Sequence, residues 1–128
     1  MAVAIILLTS TAFQRNGIWV TKLSLWTDVA LKTPGKSRVH NSLGNCYVLE
    51  GDYFRAVEEY KKSLALDRGN IEAYYNIAFN LEHIGLLQEA LYYYGIFCRT
   101  APSDYREAAK KACDRVNQLT RELATDGN

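Results

Sequence analysis

The feature that most restricts what this chain can become is a duplication. Residues Ser37–Asn70 are answered in register by Ile71–Asp104. His40, Leu43, Gly44 and Tyr47 in the first copy stand against Tyr74, Ile77, Ala78 and Leu81 in the second. Gly51 stands against Gly85, and the Ala56/Tyr60 pair against Ala90/Tyr94. Arg68 and Pro102 close the two copies, and Pro34 lies one period earlier. Large, small and aromatic residues recur at the same offsets, so each copy has to fold as the same unit and stack on its neighbour.

That period and that order of residues resemble the tetratricopeptide (TPR) pattern of two antiparallel helices per repeat. The resemblance implies an all-α solenoid of two full repeats, 37–70 and 71–104, flanked by an N-terminal half-repeat helix and a C-terminal capping helix. It also implies a protein-binding or scaffolding role rather than catalysis.

Composition fits a folded domain: 48% hydrophobic and 23% charged residues in a chain of 128, with two prolines. A formal net charge of +1 argues against a general nucleic-acid binder. Cys46, Cys98 and Cys113 form no C-x-x-C pair and no metal spacing with histidine. They read as thiols that fill space within helices; a disulfide stays open, because an odd count defines no framework.

Three zones follow: an apolar segment 1–14, one TPR domain over 15–124, and a frayed tail 125–128. The run Ala2–Leu8 is too short to cross a bilayer, which takes about 20 apolar residues. It reads as the end of a membrane helix whose earlier part lies elsewhere, or as a helix packed on the repeats. Arg15, Trp19 and Lys22 suit a headgroup layer and favour the first. Arg15-Asn16-x-x-Trp19, Leu25-Trp26-x-Asp28, Pro34, Arg38 and Asn41-x-Leu43-Gly44 are also similar to the junction between membrane helices and TPR tails in multi-pass proteins of the glycosyltransferase-like type. That similarity implies membrane association of a parent protein, on an undecided side, with this piece soluble; a cytoplasmic domain is the alternative.

Helices are expected over Gly17–Thr33, Ser37–Glu50, Tyr53–Asp67, Ile71–Ile84 and Leu87–Thr100, and from Pro102 to Leu123 with Ser103 or Asp104 as N-cap. In the first of these, Ile18, Leu23, Leu25, Trp26 and Val29 make the apolar face. Lys22 takes the place that Ala56 and Ala90 occupy later, so this half-repeat is partial. Gly51 and Gly85 supply the backbone freedom a helix end needs. Gly44 and Ala56 are small where paired helices approach, with Tyr47 and Tyr60 around the contact.

The TPR resemblance places first helices on a concave surface. In the first repeat that surface holds Arg38, Asn41, Ser42, Asn45, Val48 and Leu49, and in the second Glu72, Tyr75, Asn76, Phe79, Glu82 and His83. Carried on by the same period, the last helix adds Arg106, Ala109, Lys110, Cys113 and Asn117. Asparagine both donates and accepts, so a row of them can hold an extended peptide backbone. Tyr75 and Phe79 offer an apolar anchor site, and Arg106 and Lys110 suit a carboxylate. Asn45, Asn76, Arg106 and Lys110 are similar to four of the five positions with which some TPR domains grip the C-terminal carboxylate of heat-shock chaperones. Asn41 departs from that pattern, which has lysine there.

No catalytic constellation, metal set or cofactor motif is visible. His40 reads as a packing knob and His83 as a solvated histidine near a helix end. Glu58-Glu59 and Lys61-Lys62 read as ion-pair support on a wet face. Gly95, mid-helix beside Tyr92 and Tyr93, suggests a second contact surface on the convex side, where two copies could meet as a homodimer. The leading expectation is a module that binds a short peptide or partner segment; the alternatives are a self-associating scaffold and the recruiting tail of a membrane enzyme.

Overall fold

The computed structural model describes residues 22–127. The apolar run Ala2–Leu8, with Arg15, Ile18 and Trp19, lies outside them. Six α-helices follow one another: α1 at 22–32, α2 Ser37–Leu49, α3 Tyr53–Leu66, α4 Ile71–His83, α5 Leu87–Thr100 and α6 Arg106–Asp126. No strand occurs among the described residues, and no described helix is long and apolar enough to cross a membrane. Each helix from α2 onward packs on the next one, so the chain is a solenoid of helical hairpins.

Glycine sets both hairpin turns. Gly51 and Gly85 have φ of 76° and 82°, in the left-handed region that residues with a Cβ avoid. After α2 the Asp52 N–H reaches back to the Tyr47 carbonyl at 2.9 Å; after α4 the Leu86 N–H reaches the Leu81 carbonyl at 2.9 Å. These bonds satisfy carbonyls that a helix end leaves open, and they turn the chain into the next helix.

The core runs through Ala56, Val57, Tyr60, Ile77, Ala78, Leu81, Ala90, Tyr94 and Phe97 to Ala112 and Leu119. Small residues let the helices close. A Cβ on Gly44 would lie 2.7 Å from the Tyr60 ring, so α2 and α3 can meet at this distance only with glycine there. In α1, Leu23, Trp26 and Val29 are half-buried as expected, whereas Leu25 is exposed.

Three readings of the polar residues need correction. Glu59 is not on a wet face: it is buried, with Oε2 2.8 Å from His40 Nδ1 and Oε1 accepting from Lys62 Nζ at 2.6 Å. His40 is accordingly more than a packing knob, since its Nε2 also donates to the Pro34 carbonyl at 2.8 Å. One imidazole thus ties the turn before α2 to α3. Neither Ser103 nor Asp104 caps α6; residues Ser103–Tyr105 form a 3-10 turn first.

A further correction concerns α6. Cys98 and Cys113 are joined by a disulfide, with Cα atoms 5.1 Å apart, while Cys46 is a free buried thiol. Ser37 to Ile71 is a step of 34 residues, but Ile71 to Arg106 is a step of 35. The 3-10 turn therefore sets α6 one residue out of phase, a rotation of about 100°. Cys113 then takes the inward register of Ala78 and faces α5, instead of the outward register of Phe79. Arg115 turns toward α4, where its guanidinium holds Glu82 through Nε at 2.8 Å and through Nη2. The helix itself continues to Asp126, past the expected end at Leu123.

Two substitutions test this packing. Gly44→Ala gains helix propensity but drives a methyl into a Tyr60 ring that cannot retreat, and is expected to cost about 1–2 kcal/mol in urea unfolding. Gly35→Ala, with nothing within 4 Å, should be neutral within about 0.5 kcal/mol. Reducing the disulfide, which closes a separation of 15 residues, is expected to lower stability by about 3 kcal/mol. An unchanged urea midpoint in reductant would remove the bridge from the account.

Candidate binding groove

The first helices of the two hairpins, α2 and α4, and the turn before α6 line one face. Three cavities lie along it. The first, of 540 Å³, is bounded by Arg38, Asn41, Ser42, Asp67, Glu72 and Tyr105 among others. The second, of 400 Å³, sits between α2 and α4 and is lined by Asn45, Val48, Leu49, Tyr60, Tyr75, Asn76, Phe79 and Asn80. The third, of 200 Å³, takes Glu72, Tyr75, Asn76, Phe97, Tyr105 and Ala108. Tyr75 and Asn76 border both the second and the third, and Glu72 and Tyr105 both the first and the third, so the three are parts of one groove.

The side chains expected on α2 and α4 come together here, with two exceptions. Glu82 is used internally: besides Arg115 it accepts from the Tyr94 hydroxyl at 3.0 Å. His83 stays exposed, its ring against Phe79 and Tyr53 and its Nδ1 2.9 Å from the Phe79 carbonyl; it lines none of the cavities. On α6 the phase slip matters more. Arg106 and Lys110 are exposed but border none of the three cavities, Ala109 is half-buried, and Cys113 is spent in the disulfide. Tyr105 and Ala108 take their place in the wall, and Tyr105 donates to Glu72 at 2.8 Å. The set similar to a carboxylate grip is thus split: Asn45 and Asn76 flank the central cavity, and the two cations lie apart from it.

The central cavity has a mostly apolar wall. The Tyr75 and Phe79 rings lie within 13° of parallel, and Tyr75 is held edge-on by Tyr94 and tilted against Phe97. Leu49 and Phe79 stand at its rim, 56% and 40% exposed. Tyr60 crosses the packing layer beneath them, so that its hydroxyl donates to Asn45 Oδ1 at 2.6 Å and presents the asparagine to the groove. Asn80 lies at the cavity too, yet is only 2% exposed. The sequence pattern placed Tyr60 only at the helix contact, and it singled out neither Asn80 nor Tyr105.

Burial shifts the phenols that tie the groove down. Tyr60 is pushed up to about 12, chiefly by desolvation, and Tyr94 is raised by burial and then by its bond to Glu82. Burial also raises the Cys46 thiol. Among the described residues no group of side chains could hold a metal ion.

On the opposite face a 390 Å³ cavity is lined by Lys61, Leu64, Ala65, Arg68, Tyr74, Tyr92, Tyr93 and Ile96. Tyr92 is 64% exposed there and Tyr93 half-buried. Gly95 is buried, and a Cβ on it would meet the Arg99 guanidinium at 3.2 Å, so the Arg99 side chain lies over the glycine.

Comparison with known proteins agrees with this architecture. Residues 44–82 match a family described as TPR repeat. Chaperone SycD of the type III secretion translocator from Yersinia enterocolitica superimposes with a TM-score of 0.77 at 17% identity, over 97% of this chain and 88% of its own. SycD in complex with a peptide of the translocator YopD gives 0.77 at 18%, over 94% and 95%. This chain folds as a TPR solenoid. The first TPR of Spaghetti (RPAP3), bound to an HSP90 peptide, is similar at a TM-score of 0.71 and 16% identity, over 91% of this chain and 88% of that one. No curated protein sequence matches the chain.

The raised phenols give a pH test. A tyrosine whose folded pKa exceeds the usual 10 stabilises the fold fully below pH 10. That contribution is lost as pH rises toward about 12, where folded Tyr60 ionises. Unfolding midpoints are expected to fall across pH 10 to 12, with phenolate absorbance showing late-titrating tyrosines until the chain unfolds. Tyr60→Phe should flatten part of that fall; an unchanged profile would contradict the buried setting.

Proposed function

We propose that this TPR solenoid is a protein-interaction module that seats a short segment of a partner in the groove between α2 and α4. The observation that carries the reading is the central cavity: an apolar wall of Val48, Leu49, Tyr75 and Phe79, flanked by Asn45 and Asn76. Exposed apolar side chains around a concavity mark an interaction site, and the flanking amides can bond a peptide backbone that the wall cannot. The TPR structures with bound peptides support the same use of the fold. Arg38, Asn41 and Glu72 extend the groove toward the start of α2, while Arg106, Lys110 and His83 border none of its cavities.

The cavity on the other face, around Tyr92 and Tyr93, favours a second reading in which two copies associate. In that reading the exposed Tyr92, rather than the buried Gly95, makes the contact. A membrane tether in a longer parent protein rests on the sequence alone, through Ala2–Leu8, Arg15 and Trp19.

Peptides selected from a display library against this protein test the first reading. Phe79→Glu puts a charge on the cavity rim at an exposed position and is expected to weaken a selected peptide about tenfold or more. Tyr92→Glu should leave affinity unchanged. Equal affinity for the Phe79 variant, or loss only in the Tyr92 variant, would overturn the groove.

A further inference from the structure

The smallest cavity of the groove is an aromatic box that holds a single carboxylate. Its 200 Å³ are lined by Glu72, Tyr75, Asn76, Phe97, Tyr105 and Ala108. The three rings meet at steep angles: Tyr75 lies 5.2 Å from Phe97 at 59°, and Phe97 lies 6.2 Å from Tyr105 at 83°. Glu72 is exposed, and one of its oxygens accepts from the Tyr105 hydroxyl at 2.8 Å. It takes part in no ion pair among the described residues. Glu82, farther along the same helix, is by contrast held by Arg115. The charged side chains that line the groove are Arg38, Asp67 and Glu72, so carboxylates outnumber cations there. Arg106 and Lys110, which could have reversed that balance, border none of its cavities.

We infer that this box is a subsite for a lysine side chain of the partner segment, its ammonium on Glu72 and its methylene stem against the rings. The inference rests on the groove reading above and names a residue that the groove selects. Every polar side chain in the lining can accept from an ammonium: the Glu72 carboxylate, the Asn76 amide oxygen, and the Tyr75 and Tyr105 hydroxyls. Tyr105 gives its proton to Glu72 and keeps its lone pairs, and the Asn76 NH₂ is left for the backbone of the segment. An apolar occupant would strip water from Glu72 and return nothing, and a carboxylate would face a like charge. A guanidinium brings five donors in one fixed plane. The three donors of an ammonium rotate to meet acceptors set on α4 and on the turn before α6. The lysine stem is apolar and packs along aromatic walls, while ring faces within about 6 Å of the cation attract it further. Tyr75 and Asn76 also line the central cavity, so the lysine and the apolar residue seated there belong to one short segment.

The probe is a display-selected peptide whose binding needs Phe79, remade with norleucine (the lysine stem without its ammonium) or arginine at each lysine. Butylammonium chloride serves as the free amine. Each is titrated into the isotope-labelled protein while amide and side-chain NMR shifts are followed. The selected peptides are expected to contain lysine, and to move the Glu72, Tyr105 and Asn76 side-chain signals. Norleucine in its place should weaken binding about five- to tenfold at low salt. That difference should shrink at about 1 M salt, where charges are screened within about 3 Å. Glu72→Gln keeps an acceptor for Tyr105 at an exposed position and should bind the lysine and norleucine peptides alike. Because the norleucine comparison is made on the unaltered protein, it holds whether or not the variant folds. Selected peptides without lysine, equal affinity for the norleucine peptide, or an undiminished preference in Glu72→Gln would each overturn the subsite and leave the groove standing. Tighter binding of the arginine peptide would overturn the ammonium. If no selected peptide needs Phe79, or the shifts stay on Tyr92 and Tyr93, groove and subsite fall together. If butylammonium moves the same signals as tightly as the peptide, the site is one for a free amine and the partner segment is wrong.

Discussion

Everything on the binding face depends on the Tyr60 ring lying against Gly44. The absent Cβ lets α2 and α3 approach until the ring fills the space between them. Because it is held there, the ring can carry its hydroxyl through the packing layer to Asn45 on the groove. One contact thus sets the spacing of the first hairpin and orients a groove side chain. The second hairpin replaces glycine with Ala78, and there the matching tyrosine, Tyr94, reaches Glu82 instead. The two repeats share a backbone plan but direct their tyrosines to different ends.

Glu82 in turn joins the array to its last helix. It sits between the Tyr94 hydroxyl and the Arg115 guanidinium, so α4, α5 and α6 meet at one carboxylate. The disulfide between Cys98 and Cys113 holds the neighbouring side of α6 to α5. An ion pair and a covalent bond thus fix α6 on α4 and α5. The consequence for the groove is that α6 closes it with Tyr105 and Ala108 and leaves its cations outside.

The repeat was legible in the sequence because helix pairing demands small residues at Gly44, Ala56, Ala78 and Ala90, and those demands recur at a fixed distance. The α2 and α4 walls of the groove followed from the same period. What failed was whatever depends on a departure from that period. The extra residue before α6 has no mark in composition, yet it rotates Arg106, Lys110 and Cys113 away from their expected register. His40 and Glu59 are far apart in sequence, and each looked ordinary by its local spacing; only the hairpin brings them to 2.8 Å.

Intermolecular nuclear Overhauser effects between the protein and a display-selected peptide test the central claim most directly. The account predicts contacts from peptide protons to the Tyr75 and Phe79 rings and to the methyl groups of Val48 and Leu49. Contacts to Tyr92, Tyr93 and Ile96, with none to that wall, would contradict it.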